Sequence, residues 1–180
     1  MAFSLDNFLH ECRLAAGSQQ DVRAIVERAV SDRAAVVREL GEPVTDDIKV
    51  LFQSDALTVL NVIWPPRVIV TPHDHTLWAV IGIYSGREDN IFWRQLPGAE
   101  RRRIEAVGAT SISDGDTLAL SDDVIHSVIN PLQRLTGAIH VYGGDVLGRP
   151  CTTWDPETLF ERPGNGDSFS RGRPDDAPSR

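Results

Sequence analysis

Three histidines at two places in the chain are the residues best suited to chemistry. His73 and His75 are separated by a single residue, and His126 follows about fifty residues later. On a β-strand the side chains of residues i and i+2 point to the same face of the sheet. A third histidine from a distant strand can then complete a set of three imidazoles around one metal ion. The spacing predicts a metal site formed by His73, His75 and His126.

Such a site would have a characteristic reactivity. Three imidazoles on one face of an octahedral ion leave three positions open for substrate and O₂. Because the imidazoles are neutral, the full divalent charge stays on the metal, and an anionic ligand such as a thiolate or an enolate would bind well. Imidazole binds several first-row metals, so the histidines alone leave iron, zinc, nickel and manganese open.

The bulk composition is that of a globular protein with one core. The chain has 180 residues, of which 41% are hydrophobic and 24% charged, and its net charge is −8. An acidic chain disfavours nonspecific nucleic-acid binding, which depends on basic patches. No apolar stretch approaches the roughly 18 residues that span a bilayer, and the N-terminus lacks the pattern of a secretion signal. We expect a cytoplasmic protein that binds small molecules and neither nucleic acid nor membrane.

The elements that must position the histidines change character along the chain. The N-terminal segment predicts two helices, because apolar residues recur at helical spacing and Gly17 and Gly41 end the two runs. Short β-branched runs separated by turn residues follow, as in an antiparallel sandwich or small barrel. Arg87 to Asn90 follow a Ser-Gly turn signal and are interpreted as part of that turn. The predicted strands are 48–53, 57–64, 68–71, 77–85, 90–95, 103–112, 117–120, 124–130 and 136–142.

The predicted organisation is a single domain in three parts. Residues 1–42 form helices packed on a barrel, and residues 43–162 form the barrel that carries the metal site. Residues 163–180 contain Pro, Gly, Ser and charged residues with almost no apolar content, so we expect a flexible tail there.

The sequence around the histidines resembles the motifs of the cupin superfamily. Gly115-Asp116, followed by His126 and Asn130, resembles the second cupin motif, in which a Gly-Asp turn leads into the strand that bears the third ligand. The proline that usually precedes this ligand is absent, and Asp122-Asp123 stands in its place. The resemblance implies a mainly β fold, the cupin double-stranded β-helix or jelly-roll barrel, with an N-terminal helical pair.

The first cupin motif departs from its usual form in an informative way. It normally continues from the His-x-His pair to a glutamate three or four residues later, but Trp78, Ala79 and Val80 occupy that region here. This departure argues against the cupins that use three histidines and a glutamate, such as oxalate-converting enzymes and sugar isomerases. It favours a site of three histidines alone.

Residues from about 48 to 150 are similar to the bacterial thiol dioxygenases, the family of cysteine dioxygenase and 3-mercaptopropionate dioxygenase. The similarity rests on His73-Asp74-His75, on Trp78 to Ile83 followed by Gly86, on His126, and on Ile139-His140-Val141-Tyr142-Gly143. It implies that the three histidines bind Fe(II). It also implies an oxidoreductase that converts a small thiol to its sulfinate with O₂.

In that family a Ser-x-His-x-Tyr segment lies beside the metal. The match implies that His140 and Tyr142 are catalytic residues, with the tyrosine hydroxyl reaching toward bound substrate or oxygen and His140 orienting it. The serine of the segment is replaced by Ala138, so its hydroxyl is missing. Ala79 stands where mammalian-type enzymes carry the cysteine that is crosslinked to a tyrosine, so we expect no thioether.

The substrate is less closely defined than the metal. Arg149, Arg67 and Arg87 are the candidates for binding a substrate carboxylate, and cysteine and 3-mercaptopropionate are two of the possible thiols. Two other classes of function stay open. One is a three-histidine cupin dioxygenase that acts on a carbon substrate such as a β-diketone, and the other is a non-catalytic cupin that binds a metal or a small ligand.

Overall fold

The computed structural model describes residues 3–98 and 102–162, together with the backbone of residues 171–172. In this part of the chain three helices precede strands that form two antiparallel sheets. The helices are α1 (Leu5–Leu14), α2 (Gln19–Val30) and α3 (Arg33–Leu40). The strands are β1 (Asp47–Gln53), β2 (Thr58–Trp64), β3 (Ile69–Asp74), β4 (Ala79–Ser85), β5 (Arg87–Gln95), β6 (Ile104–Ser113), β7 (Thr117–Leu120), β8 (Ile125–Ile129), β9 (Thr136–Tyr142), β10 (Thr153–Trp154), β11 (Glu161–Arg162) and β12 (Arg171–Gly172).

The strand order confirms the predicted double-stranded β-helix. The first sheet has the order β1-β2-β9-β4-β7, and the second has the order β11-β10-β3-β8-β5-β6, with β12 beside β3. From β2 to β9 the chain crosses to the other sheet at every step except between β5 and β6. Eight strands arranged in this way form a jelly roll, in which two sheets enclose one interior.

The strands β2, β4 and β9 of the first sheet are buried on both faces. Alternate side chains point into the barrel and pack with the second sheet, and the residues between them pack against the helices. Strands covered on both faces carry apolar residues along their whole length and do not alternate between apolar and polar residues. The strands β2, β4 and β9 follow this pattern. The inward-facing residues are Leu60, Val62, Trp64, Ala79, Ile81, Ile83, Ala138, His140 and Tyr142.

Helix α2 covers the outer face of the first sheet. Val26 and Val30 lie directly over Gly82 of β4, where an added Cβ would overlap the Val26 side chain. Gln19, at the start of α2, donates to the backbone carbonyls of Ala79 and Leu120 at 3.0 and 2.6 Å. The glycine therefore allows close contact between helix and sheet, and Gln19 fixes the helix along the strands.

The second predicted helix is divided into two. The helical spacing of apolar residues continues past Val30, but α2 ends there and α3 begins at Arg33. The side chain of Asp32 accepts a hydrogen bond from the Ala35 amide at 3.0 Å and so caps the start of α3. Within the described residues, no helix is long and apolar enough to cross a membrane.

The prediction of a turn from Arg87 to Asn90 is wrong. The turn ends at Gly86, whose φ of 101° suits glycine, and β5 begins at the next residue and pairs with β6. Glu88 and Asn90 are buried, while Arg87 and Asp89 form an ion pair toward solvent. Burial therefore alternates as in a strand, with polar side chains on the inner face.

The C-terminal segment is described only in part. Arg171 and Gly172 pair with Val70 and Ile69 of β3. The remainder of the predicted tail, residues 163–170 and 173–180, lies outside the described residues, so its flexibility stays a prediction.

Candidate metal centre

Neighbouring strands bring the three histidines together inside the barrel. In the pairing of β3 with β8, His73 stands opposite His126. His75 lies two residues beyond His73, just after the end of β3, and so on the same face. All three side chains are buried, and their ring centroids lie 4.6 to 5.0 Å apart. The period-two spacing thus produces the cluster that the sequence predicts.

The distances within the cluster fit a single metal ion. Nε2 of His75 lies 3.0 Å from Nε2 of His73 and 3.5 Å from Nε2 of His126. One ligand atom from each histidine lies within 4.8 Å of the others. Nitrogen ligands about 2.1 Å from an ion are separated by about 3.0 Å at a right angle and about 3.4 Å at the tetrahedral angle. The three imidazoles are therefore spaced as ligands of one ion.

Two of the histidines have their protons fixed on the nitrogen that points away from the cluster. Nδ1 of His73 lies 2.9 Å from the carbonyl oxygen of Thr71, and Nδ1 of His126 lies 2.7 Å from Oδ1 of Asn90. Both partners are acceptors, so each Nδ1 donates and each Nε2 keeps its lone pair for a metal. The Asn90 amide is itself oriented, because its Nδ2 donates to Glu88.

The charge state of the cluster also suits a metal. Burial lowers the pKa of His73 below its ordinary value, although its bond to the Thr71 carbonyl opposes the effect. Burial lowers the pKa of His75 and of His126 much further, and repulsion between the imidazoles adds to it. Neutral imidazole is the form that binds metals, so the protein keeps these side chains ready as ligands. Among the described residues, this cluster contains no carboxylate.

His140 and Tyr142 lie beside the cluster. Both belong to β9 and face the interior, and Nδ1 of His140 lies 3.1 Å from the Tyr142 hydroxyl. The Tyr142 ring stands edge-on to His75, with 5.0 Å between the ring centroids and an interplanar angle of 84°. Burial, and then the negative charge of Glu88, raise the pKa of the Tyr142 phenol far above its ordinary value. The structure therefore places a protonated hydroxyl next to the histidines.

Glu88 belongs to this site although the sequence did not indicate it. The side chain is fully buried and accepts hydrogen bonds from Nε1 of Trp64 at 2.8 Å and from Nδ2 of Asn90 at 2.9 Å. Its Oε2 lies 3.7 Å from Nε2 of His140. Burial alone would raise the pKa of Glu88, but His140, Asn90 and Trp64 together outweigh burial and hold it below its ordinary value. Glu88 is therefore a buried carboxylate that carries its charge.

The signal that identifies Glu88 is the one that identified the histidine pair. Glu88 and Asn90 are separated by one residue, so on a strand they must share a face. The Ser-Gly turn signal directly before the segment masks this relationship in the sequence.

The three predicted arginines lie on the surface. Arg67 occupies the turn between β2 and β3 with a φ of 61°, and Arg149 follows the end of β9. Arg87 forms an ion pair with Asp89 and donates to the hydroxyl of Ser111 at 3.0 Å. The structure does not bring these exposed side chains into the buried cluster, and a role in substrate binding stays a prediction.

Parts of several solved structures are similar to this chain. No family model matches the sequence. A similar solved structure is an RmlC-like cupin with a double-stranded β-helix from Methanocaldococcus jannaschii, with 11% identity, 57% of this chain and 83% of that chain covered, and a TM-score of 0.46. DMSP lyase DddQ from Ruegeria pomeroyi is 19% identical over 62% of this chain and 53% of its own chain, with a TM-score of 0.47. Oxalate decarboxylase from Bacillus subtilis is 18% identical over 61% of this chain and 23% of its own chain, with a TM-score of 0.40.

The chain spans about half the length of the DMSP lyase and about a quarter of the oxalate decarboxylase. At these identities the likeness carries no information on the activity of this chain.

Proposed function

We propose that this protein is a mononuclear non-haem Fe(II) dioxygenase that oxidises a small thiol to its sulfinate with O₂. The observation that carries the proposal is the cluster of His73, His75 and His126, with the hydroxyl of Tyr142 beside it. The combination is the one expected from the resemblance of the sequence to thiol dioxygenases.

The charge of the cluster favours an anionic sulfur substrate. Three neutral imidazoles contribute no negative charge, and the lowered pKa values keep them neutral at physiological pH. A thiolate would therefore be attracted to a divalent ion that these ligands would hold, in surroundings of low dielectric constant. Ferrous iron, when bound, would supply the open positions and the redox chemistry that O₂ requires.

The residues around the cluster would position the reactants. Tyr142 offers a hydroxyl that remains protonated, and its bond to Nδ1 of His140 fixes where that hydroxyl points. The inner face of β4 contributes the apolar residues Ala79 and Ile81, which keep water from the interior. A polar group fixed in apolar surroundings can stabilise developing charge without reorganising, which is how these residues would contribute.

The test combines metal content with oxygen uptake. Untagged protein is analysed for bound metal, and the same sample is then given cysteine, 3-mercaptopropionate, cysteamine and acetylacetone in an oxygen electrode, with products identified by mass spectrometry. We expect about one iron per chain and uptake that depends on a thiol and yields its sulfinate. The variant His126→Ala should lose both iron and uptake. The control His10→Ala removes an exposed histidine of α1 and should retain them.

Two results would overturn the proposal. Uptake with acetylacetone and with no thiol would assign the site to oxygenation of carbon. A protein that binds iron in no preparation and consumes no oxygen with any of the four compounds would be a binding protein and not this enzyme.

A further inference from the structure

Glu88 lies between two groups of side chains, one reached through hydrogen bonds and the other across a gap of 3.7 Å. On one side, Oε1 accepts from Nδ2 of Asn90, whose Oδ1 accepts from Nδ1 of His126. On the other side, Oε2 accepts from Nε1 of Trp64 and faces Nε2 of His140 at 3.7 Å. His140 in turn is bonded through Nδ1 to Tyr142. One carboxylate is therefore hydrogen-bonded through Asn90 to a histidine of the metal cluster and faces the histidine that is bonded to Tyr142.

The surroundings of His140 bear on which of its ring nitrogens carries the proton. Nε2 of His140 is buried and has no hydrogen-bond partner within bonding distance among the described residues. An ionised carboxylate can only accept hydrogen bonds. A proton on Nε2 would be attracted to Oε2 of Glu88, whereas a lone pair there would place two buried acceptors against each other. At low dielectric constant that difference is large enough to select one tautomer.

We propose that Glu88 is a positioning residue that fixes the protons of two histidines at once. It holds the proton of His140 on Nε2, so that Nδ1 accepts the hydroxyl hydrogen of Tyr142. Through Asn90 it holds the proton of His126 on Nδ1, so that Nε2 is free to bind metal. The carboxylate thus performs, from β5 of the opposite sheet, the orienting work for which Ala138 on β9 offers no hydroxyl.

The direction of the Tyr142 bond has a consequence for the substrate. Because the hydroxyl hydrogen is directed at His140, the oxygen keeps its lone pairs for other partners. Tyr142 would then accept a hydrogen bond from a bound molecule instead of donating one. This consequence rests on the proposed function, but the positions of the two histidine protons do not.

The variant Glu88→Gln tests the effect of the carboxylate on His126 and on His140. A glutamine amide has one accepting end and one donating end, so the proton position of one histidine must be inverted whichever way it turns. If its NH₂ group faces Asn90, the Asn90 amide turns over, and the proton of His126 moves to Nε2. If its NH₂ group faces His140, that histidine becomes an acceptor at Nε2 and donates from Nδ1 to Tyr142.

Nitrogen-15 NMR of the histidine rings in the full-length, metal-free protein at neutral pH tests the inference. In the wild-type protein we expect His140 protonated on Nε2 alone and His126 protonated on Nδ1 alone. A His140 that carries a proton on Nδ1 would overturn the inference without any variant being made. The measurement needs neither iron nor substrate, so its outcome is independent of whether thiols are oxidised.

The variants extend the test. Glu88→Gln should invert at least one of the two tautomers, and inversion at His126 should weaken Zn²⁺ binding by about 10- to 100-fold. The matched control Glu105→Gln removes one negative charge from the adjacent strand β6, where Glu105 forms an exposed ion pair with Arg94. It should leave both tautomers and the zinc affinity unchanged. Unchanged tautomers in a folded Glu88→Gln protein would refute the role of the carboxylate.

Discussion

Replacing Asn90 by alanine tests how strongly the surroundings of the cluster contribute to metal binding. Oδ1 of Asn90 lies 2.7 Å from Nδ1 of His126, and both side chains are fully or almost fully buried. Partners of this kind contribute about 10- to 100-fold to metal affinity, which corresponds to about 1.4 to 2.7 kcal/mol. We expect the dissociation constant of Asn90→Ala for Zn²⁺ to rise by that factor.

The same substitution should destabilise the metal-free protein. It removes the acceptor for His126 and one of the donors to Glu88, and neither group can reach bulk water from its buried position. A buried polar group without its partner costs about 1–3 kcal/mol. Urea unfolding of the metal-free protein measures this cost, and competition with a fluorescent chelator measures the zinc affinity.

The control is Asn61→Ala, which removes a comparable bond away from the cluster. Asn61 is also a buried asparagine on a strand, and it accepts a hydrogen bond from the Tyr84 hydroxyl at 2.9 Å. It lies on the face of β2 that packs toward the helices, because its neighbours Leu60 and Val62 face the interior. Asn61→Ala should lose stability and keep the wild-type zinc affinity. Wild-type affinity in Asn90→Ala, or an equal loss in both variants, would refute the reasoning.

The remaining predictions concern the tyrosines and the packing of α2. The chain has two tyrosines. Burial raises the pKa of Tyr84 to about 12 and that of Tyr142 further, so the folded state holds protons that unfolded tyrosine releases near pH 10. The free energy of unfolding should therefore fall as the pH rises above about 10. Tyrosinate absorbance should appear together with unfolding, and tyrosinate in the still folded protein near pH 10 would contradict this expectation. Gly82→Ala places a methyl group against Val26 and should lower the free energy of unfolding in urea by about 1–3 kcal/mol. Since Gly82 faces α2 and not the interior, zinc affinity should be unchanged, and a weakened affinity would contradict the assignment of the two faces.

The sequence was sufficient to predict the histidine cluster because its geometry is local. His73 and His75 share a face wherever the chain is extended, and the Gly115-Asp116 turn marks the strand that carries His126. The strands were predicted closely for a similar reason, since β-branched runs and turn residues alternate regularly from residue 48 onward.

The i, i+2 spacing of Glu88 and Asn90 does not by itself indicate that the carboxylate is buried. A charged residue just after a turn signal is normally exposed, and strands are depleted of glutamate. What makes its burial tolerable is the set of polar side chains that surrounds it, and two of these come from other strands. Trp64 belongs to β2 and His140 to β9, and only the register of the folded sheets brings them to the carboxylate.

The division of α2 from α3 is a case in which the sequence contains the deciding local signal, but the apolar periodicity predicts otherwise. Apolar residues continue at helical spacing through this region, so the periodicity alone predicts one long helix. Ser31 and Asp32 have side chains that bond to nearby backbone groups and so favour helix ends. Capping residues therefore decide where a helix stops even when the apolar face continues.

The position of Glu88 outside the histidine cluster bears on the choice of substrate. A carboxylate that bound the metal would cancel part of its charge and would repel an anionic ligand. Here the carboxylate is separated from the cluster by Asn90, and its charge is offset by the donors Asn90 and Trp64 and by its proximity to His140. It can therefore align His126 while the three ligands remain neutral. Because none of the three ligands is charged, a divalent ion in this cluster would lose no charge to its ligands and would attract a thiolate.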